Sequence, residues 1–407
     1  MKKKNTKTEE IKKNAISSER PNLFEPNVYI SMVVTLSGMI TKEELAAAVE
    51  KAYAHNEATM SNIVLEKNGE AYYETRNTSG CKVFFDQRNW QEILKESEKN
   101  PFALKEGELV RTYITTGTLE TILFLLAHHL VGDGKSILVL LQDIVDALEG
   151  KALEYKPMVL MDRNYLVQRA KLPLVVRWFV HKINRDWKRN EEVFTWEDYY
   201  SIHNRYWASH SSEIITKTYS AKEWKDAAVR SGVTLNSYLT AKLLQEYPES
   251  KVIGIPVSIR EENHAMSNQT SGTVIRHQYD PERSLKENAE QIQKKLRKKI
   301  ATPDRKFFVL LFLTQLIPTL IDSVLLYTHG CCKNKVSQKM ADMMGYIGKN
   351  GRDLGITNLM KMEIAGKFER FRITDILFIP PKISYAKQVV GVATFEDKLN
   401  ITYHHMK

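Results

Sequence analysis

An α/β protein built in two halves is expected from the sequence on three grounds. The chain has 407 residues, about two domains' worth at roughly 100–200 residues per domain. Runs rich in β-branched and aromatic residues alternate with runs of helical apolar spacing, and the alternation recurs in the second half. Residues 161–200 change character and read as a helical connector rich in Arg, Lys and Trp. Composition is ordinary for a globular chain, 43% hydrophobic and 27% charged, which excludes wholesale disorder and collagen. Three cysteines, Cys81 and the adjacent Cys331 and Cys332, exclude a zinc ribbon and a disulfide framework and point to a reducing, cytoplasmic setting.

The elements follow in order. The basic start MKKKNTKTEEIKK has no apolar segment behind it, so residues 1–20 read as a flexible basic tail rather than a signal peptide. VYISMVVTLSG (28–38) reads as the first strand. Thr41 has Glu44 three residues on, the capping-box spacing, and the helix LAAAVEKAYAH follows. Residues 63–75 read as a hairpin around Asn68-Gly69, the dipeptide of a type I′ turn. TILFLLA (121–127) is a buried strand, and 134–148 is a helix with one apolar face through Ile137, Leu140, Leu141, Ile144, Val145 and Leu148. In the second half, 212–220 and 251–259 read as strands and 221–232 and 236–247 as helices. A charged helix after 281, an apolar stretch and short strands complete the chain. No GxGxxG or GxxxxGK[ST] occurs, so dinucleotide and P-loop chemistry have no local support.

Between the buried strand and its helix lies HHLVGDG (128–134). His128 and His129 fall where the chain leaves the sheet, and Gly132 and Gly134 permit the turn. A histidine fixed at a strand end suits a general base, because its ordinary pKa of about 6.5 lets it accept a proton near neutral pH. No metal site is expected: adjacent histidines on an extended chain point to opposite faces and do not readily share an ion. The H-x₄-D reading through His128 and Asp133 lacks a downstream phosphate-binding segment, since KEGELVR lies upstream.

HHLVGDG matches the HHxxxDG motif of the superfamily that includes chloramphenicol acetyltransferase, plant BAHD acyltransferases, alcohol acetyltransferases and the condensation domains of nonribosomal peptide synthetases. The resemblance extends along the chain in the expected order. NPFALKEGELVRTYI (100–114) resembles the "PFDL…GPLLR" stretch, and VTLNSYLTAKLL (233–244) and IGIPVSIR (253–260) resemble a helix and strand of the second half. ITNLMKMEI (356–364) resembles the "SN" segment, with Thr357 in place of the usual Ser, and GVATFEDKLNITYHH (391–405) the closing strands. The absence of DFGWG argues against the plant branch, and the chain looks nearest to bacterial stand-alone alcohol-acetyltransferase or condensation-like proteins.

The resemblance implies two chloramphenicol-acetyltransferase-like lobes, residues 21–190 and 191–407, with an active-site tunnel between them. It implies transfer of an acyl group from a thioester, on coenzyme A or on a phosphopantetheine carrier protein, to an alcohol or amine, with no tightly bound cofactor. His129 matches the catalytic base. Asp133 is expected to pair with an arginine, for which Arg260 is the match, and to hold the loop with Gly134. Ser136 matches the common "DGxS", and Asn358 the Asn near the channel. A catalytically silent carrier-binding module and a membrane-associated lipid acyltransferase or lipid-binding protein are the alternatives.

Other features bear on partners. The net charge of +10 favours anionic partners without choosing among them. KFFVLLFLTQLIPTLIDSVLLY (306–327) is interrupted by Gln315, Pro318 and Asp322, so it reads as a buried or channel helix kinked at Pro318 rather than a membrane span. KLPLVVRWFVHKINRDWKR (171–189) mixes aromatics with six basic residues; a solvated face, an anionic membrane, an acidic carrier protein and coenzyme A phosphates all fit it. QKKLRKK (293–299) raises the same options, and without interleaved aromatics it does not favour nucleic acid. Cys331-Cys332 reads as inert, and His404 and His405 as strand-end residues.

Overall fold

The computed structural model describes residues 12–261, 263–348 and 351–407. Its first half carries strands β1 (Lys13–Ala15), β2 (Tyr29–Gly38), β3 (Ser61–Leu65), β4 (Ala71–Thr75), β5 (Lys82–Phe85), β6 (Val110–Thr116) and β7 (Glu120–His128), with helices α1 (Lys42–Ala54), α2 (Trp90–Ser97) and α3 (Gly134–Leu148). The connector is helical throughout its ordered elements, α4 (Arg163–Val167), α5 (Leu174–Lys188) and α6 (Trp196–Trp207). The second half runs β8 (Ser212–Ser220), α7 (Ala221–Arg230), α8 (Leu235–Glu246), β9 (Val252–Ser258), β10 (Thr270–Arg276), α9 (Leu285–Lys299), α10 (Pro303–Lys306), α11 (Phe308–Leu313), α12 (Pro318–Thr328), α13 (Lys335–Met344), β11 (Arg352–Lys361), β12 (Phe371–Ile379), β13 (Ala386–Phe395) and β14 (Lys398–Met406).

Two mixed sheets organise these elements. The first has the order β12-β2-β7-β6-β5 and the second β10-β9-β11-β13-β14-β8, beside a small sheet β1-β4-β3. β7 lies between β2 and β6, so both its edges are paired, and its run from Leu123 to His128 is buried throughout. α3 lays Ile137, Leu141 and Ile144 on this sheet. The capping box at Thr41 and Glu44 forms as its spacing predicts, the Glu44 N–H donating to Thr41 Oγ1 at 3.1 Å and the Thr41 N–H to Glu44 Oε2 at 2.9 Å.

Two segments numbered into the second half pack with the first lobe. α6 contributes Tyr199, Ile202 and Trp207 to the first core, and Trp207 Nε1 donates to the Pro26 carbonyl at 2.9 Å. β12 pairs antiparallel with β2 and completes the first sheet. A boundary at 190/191 therefore separates elements that the fold keeps together. β14 then ties the lobes along β12. Its alternate residues Asn400, Thr402 and His404 bond to the carbonyls of Ile376, Phe378 and Pro380 at 2.8, 2.5 and 2.9 Å. Both series step by two because successive strand side chains alternate faces. His404, near the end of β14 as expected, is thus a buried joint between the lobes.

Three further expectations are corrected. Residues 1–11 of the expected tail lie outside the described residues, but residues 12–20 are not a tail. β1 pairs with β4, and Arg20 is buried, its Nε donating to Asp322 Oδ1 at 2.7 Å and its Nη2 to the Gly69 carbonyl at 2.6 Å. Asp322 on α12 would otherwise be a buried carboxylate without a counter-ion, an arrangement that costs several kcal/mol, of order 3–5. The hairpin closes Glu66 against Glu70, with the Glu66 N–H donating to the Glu70 carbonyl at 2.8 Å. That leaves Lys67, Asn68 and Gly69 as the loop. Only Gly69, at φ +84°, is left-handed, so the turn is not type I′, which needs two such residues. Finally, 306–327 is two helices rather than one kinked helix. α11 ends at Leu313 and α12 starts at Pro318, while Asn184 Oδ1 accepts from the freed Ile317 N–H at 3.1 Å. Among the described residues no helix is long and apolar enough to cross a membrane.

Candidate active site

The end of β7 separates its two histidines. His128 is still paired opposite Tyr29, and strand alternation turns its ring into the first core, 5.8 Å from Phe102 and 6.2 Å from Tyr29. Burial pushes its pKa down to about 3, so it is neutral, and its Nδ1 accepts from the Leu130 N–H at 3.3 Å. Phe102 is held in turn under Arg111, whose guanidinium lies 4.1 Å from the ring centre and bonds Glu108 at 2.9 and 3.1 Å. The NPFALKEGELVR stretch is thus the backing of the histidine pair.

His129 turns the other way and lines a cavity between the lobes. Its N–H donates to the Val28 carbonyl at 3.1 Å, and its carbonyl accepts from Asn268 Nδ2 at 2.6 Å. The backbone is therefore pinned from both lobes. In the ring, Nδ1 is buried with no hydrogen-bond partner among the described residues. Burial lowers the His129 pKa below its ordinary value, with Asp133 opposing the shift, so the neutral ring is favoured at neutral pH.

Asp133 caps the helix that follows. Its Oδ1 accepts from the Ser136 N–H at 3.0 Å, from Ser136 Oγ at 3.1 Å and from Arg260 Nη2 at 3.0 Å. Its Oδ2 accepts from the Gln269 N–H at 3.0 Å and from Thr270 Oγ1 at 2.9 Å. Burial alone would raise its pKa, but Arg260 and these donors outweigh it and hold the carboxyl below its ordinary value. Arg260 leaves the end of β9 and reaches the loop of the other lobe, also donating through Nη1 to the Ala265 carbonyl at 2.6 Å. Ser136 completes a capping box with Asp133 and joins Ser267 across the lobes, through its Oγ to the Ser267 carbonyl at 2.9 Å.

Two glycines are sterically required. Gly132 has φ +151°, and a Cβ there would lie 2.3 Å from Ser136 Oγ. At Gly134 a Cβ would meet Leu359 Cδ2 at 2.6 Å and Phe378 at 3.0 Å, so a side chain has no room where α3 begins.

The cavity has a volume of about 1710 Å³. The first lobe contributes Ile30, His129 and Gly134 to its wall, and the second Ser271, Thr357 and Asn358. Asn358 is on β11. Its Oδ1 accepts from the Met360 N–H at 2.7 Å, which fixes the amide, while Nδ2 is buried without an acceptor among the described residues. The fold thus brings His129, Asp133, Gly134, Ser136, Arg260, Thr357 and Asn358 to one cavity and the loop beside it, with His128 behind.

Sequence reasoning missed Ser267, Asn268, Gln269 and Thr270, the polar loop and strand start that hold the motif from the second lobe. Nothing in SNQTSG marks it locally; its place follows from the antiparallel pairing of β10 with β9, which sets Thr270 opposite Ser258, two residues before Arg260.

Comparison with known proteins agrees with this architecture. Residues 23–173 match the family model of the condensation domain. The hybrid PKS-NRPS synthetase xenE of Xenoacremonium sinensis is 26% identical over 127 residues, 30% of this chain and 3% of that one. Bacitracin synthase 2 of Bacillus licheniformis is 22% identical over 258 residues, 60% of this chain and 10% of that one. The chain therefore spans a tenth or less of the length of these curated relatives. Among solved structures, the first condensation domain of the CDA synthetase superposes with a TM-score of 0.61 at 11% identity, covering 95% of this chain and 87% of that one. Family match and fold agree with the superfamily resemblance read from the sequence: the chain has the condensation-domain fold of two chloramphenicol-acetyltransferase-like lobes.

Proposed function

We propose that this protein is an acyltransferase that moves an acyl group from a thioester to a hydroxyl or amine, with His129 as the general base. The observation that carries this reading is the His129 ring: neutral, unpartnered at Nδ1, and set in the wall of a cavity that both lobes enclose. The match to condensation domains, in relatives that are assembly-line synthetases, supports a phosphopantetheine thioester on a carrier protein as donor; coenzyme A offers the same thioester chemistry.

The reaction balances without a covalent acyl-enzyme. His129 takes the proton of the acceptor O–H or N–H as the acceptor attacks the thioester carbonyl. The tetrahedral oxyanion collapses, the C–S bond breaks, and the protonated His129 returns the proton to the leaving thiolate. The Asn358 amide is a donor in the wall without a partner among the described residues and is assigned to the oxyanion. Asp133, Arg260, Ser136 and Gly134 act as positioning residues: they hold the turn that carries His129. Because burial lowers the His129 pKa, the acid limb of kcat is expected below the ordinary histidine value of about 6.5.

The test is a transfer assay read by mass spectrometry. Wild type and His129→Ala meet acyl-coenzyme A and acyl-loaded carrier protein, each with pooled alcohols and amines. A positioned base contributes about 10²–10⁴-fold, so product should fall by that factor in the variant. Equal product from both proteins would refute His129 as base. No product from folded wild type with either donor would favour a carrier-binding module without catalysis.

A further inference from the structure

The connector helix α5 has an apolar face that its own packing does not use. Its inner side buries Val180, Ile183 and Trp187 against α12. Its first turns nevertheless present Leu174, Val175 and Trp178 to solvent, 72%, 77% and 64% exposed. Residues three and four apart share a helix face, so these three form one patch. Lys182 covers the Trp178 ring at 5.3 Å, leaving its charge beside the indole.

This patch adjoins the mouth of the cavity that His129 lines. Leu174 and Arg177 are in the cavity wall, as are Lys298, Lys299 and Arg305 from α9 and α10. The two segments are tied together, since the Lys171 N–H donates to Asp304 Oδ1 at 2.7 Å and Arg305 Nη1 to the Lys298 carbonyl at 2.8 Å. Ile300, 40% exposed, continues the apolar character between the basic residues. Of the carboxylates in the wall, Glu19 and Asp133 are buried, while Asp304 is exposed and offsets one charge, which leaves the rim cations Arg177, Lys298, Lys299 and Arg305 in excess.

We propose that this rim docks on an anionic lipid surface, with Trp178 and its aliphatic neighbours entering the headgroup layer and the surrounding Lys and Arg side chains pairing with lipid phosphates. A solvent-facing Trp between aliphatic residues, ringed by long cationic side chains, matches the water–lipid boundary: the apolar ends enter the acyl edge while the charges stay at headgroup level. Docking here is peripheral and sets the cavity mouth on the membrane. A substrate with an acyl chain then passes between bilayer and cavity without crossing water. That last step rests on the acyltransferase reading; the docking does not.

Flotation with vesicles tests it. The full-length protein is mixed at low salt with phosphatidylcholine vesicles, with or without 30% phosphatidylglycerol as a chosen composition of about that value. The protein should float with the anionic vesicles and not with the neutral ones, and lose binding as salt is raised, because screening removes the charge attraction. Lys298→Ala with Lys299→Ala should weaken partitioning by about 10–30-fold, the effect of two surface cations. Leu174→Ser, Val175→Ser and Trp178→Ser together should abolish flotation. All these side chains are at the surface, and an unchanged thermal melt verifies that the variants fold. Failure of wild type to float with anionic vesicles at low salt would overturn the proposal, as would undiminished flotation of both variants. Binding to an acidic carrier protein through the same residues, with no flotation, would replace the lipid by a protein partner. Because flotation involves no acyl transfer, its failure is distinguishable from loss of the catalytic reading.

Discussion

Replacing Asp133 by Asn would test whether one carboxylate holds the motif loop between the lobes. The change keeps shape and removes charge. The pair it breaks is buried, with the Arg260 and Asp133 side chains 9% and 6% exposed, so Arg260 would keep its cation with no counter-ion. Five donors converge on the carboxylate, two of them on Oδ2. The Asn amide nitrogen must face one of these sets and clash with its hydrogens. Breaking one side of a buried ion pair costs about 3–5 kcal/mol. Losing two charge-assisted hydrogen bonds, at about 1.5–3 kcal/mol each, gives an overlapping range of about 3–6 kcal/mol. The assay is urea unfolding followed by circular dichroism and tryptophan fluorescence, with Arg260→Met and the double variant closing a cycle. The double variant should recover about 1–3 kcal/mol relative to the sum of the singles, because the stranded cation is gone. The pH dependence has a definite sign. The Asp133 pKa is lowered in the fold from its ordinary 3.8, so its contribution is present above that value and is lost as pH falls through the lowered pKa. Wild type and Asp133→Asn should therefore converge in acid. A variant within about 0.5 kcal/mol of wild type at neutral pH, or singles that simply add, would refute the latch.

Two further outcomes follow from close contacts and burial. Gly134→Ala places a methyl group 2.6 Å from Leu359 Cδ2, which the packed wall must absorb; a loss of about 1–3 kcal/mol is expected in the same unfolding assay, with reduced transfer activity as α3 shifts under Asp133. Glu19 is buried with neither carboxylate oxygen hydrogen-bonded among the described residues, and burial raises its pKa from 4.5 to about 7. The neutral acid is therefore the stable folded form, and its contribution, full below pH 4.5, is lost as pH rises through 7. Glu19→Gln should match wild type at acid pH and exceed it by up to about 3 kcal/mol at pH 8, read as thermal melts across pH; a variant less stable than wild type at pH 8 would contradict this.

The elements around the site were legible because they are local. Seven consecutive apolar or β-branched residues, 121–127, specify a doubly covered strand, and the 3.6-residue spacing from Ile137 to Leu148 specifies α3; both effects act within a few residues of backbone. The Thr41–Glu44 box is legible for the same reason. The role of Arg260 came from likeness to a family rather than from spacing, because no local rule reaches from residue 133 to 260. The Asn68-Gly69 hairpin was legible as a hairpin but not in its turn type, which depends on which residues the strands pair last.

The rest was decided by tertiary structure. Polar segments such as 267–270 carry no periodicity, and their approach to the motif depends on β9 and β10 pairing in one register. The crossing of β12 into the first sheet, and the bonds from Asn400, Thr402 and His404 that lock it, depend on the facing surfaces of two lobes. The exposure of Leu174, Val175 and Trp178 is likewise invisible in sequence, since α5 is apolar on both sides and only the position of α12 selects the buried one. The sequence by itself determined where most strands and helices form and placed HHLVGDG at the turn between β7 and α3. Which distant groups surround that turn was determined by how whole sheets close on one another, because that pairing is set by complementarity over entire surfaces rather than by any short run of residues.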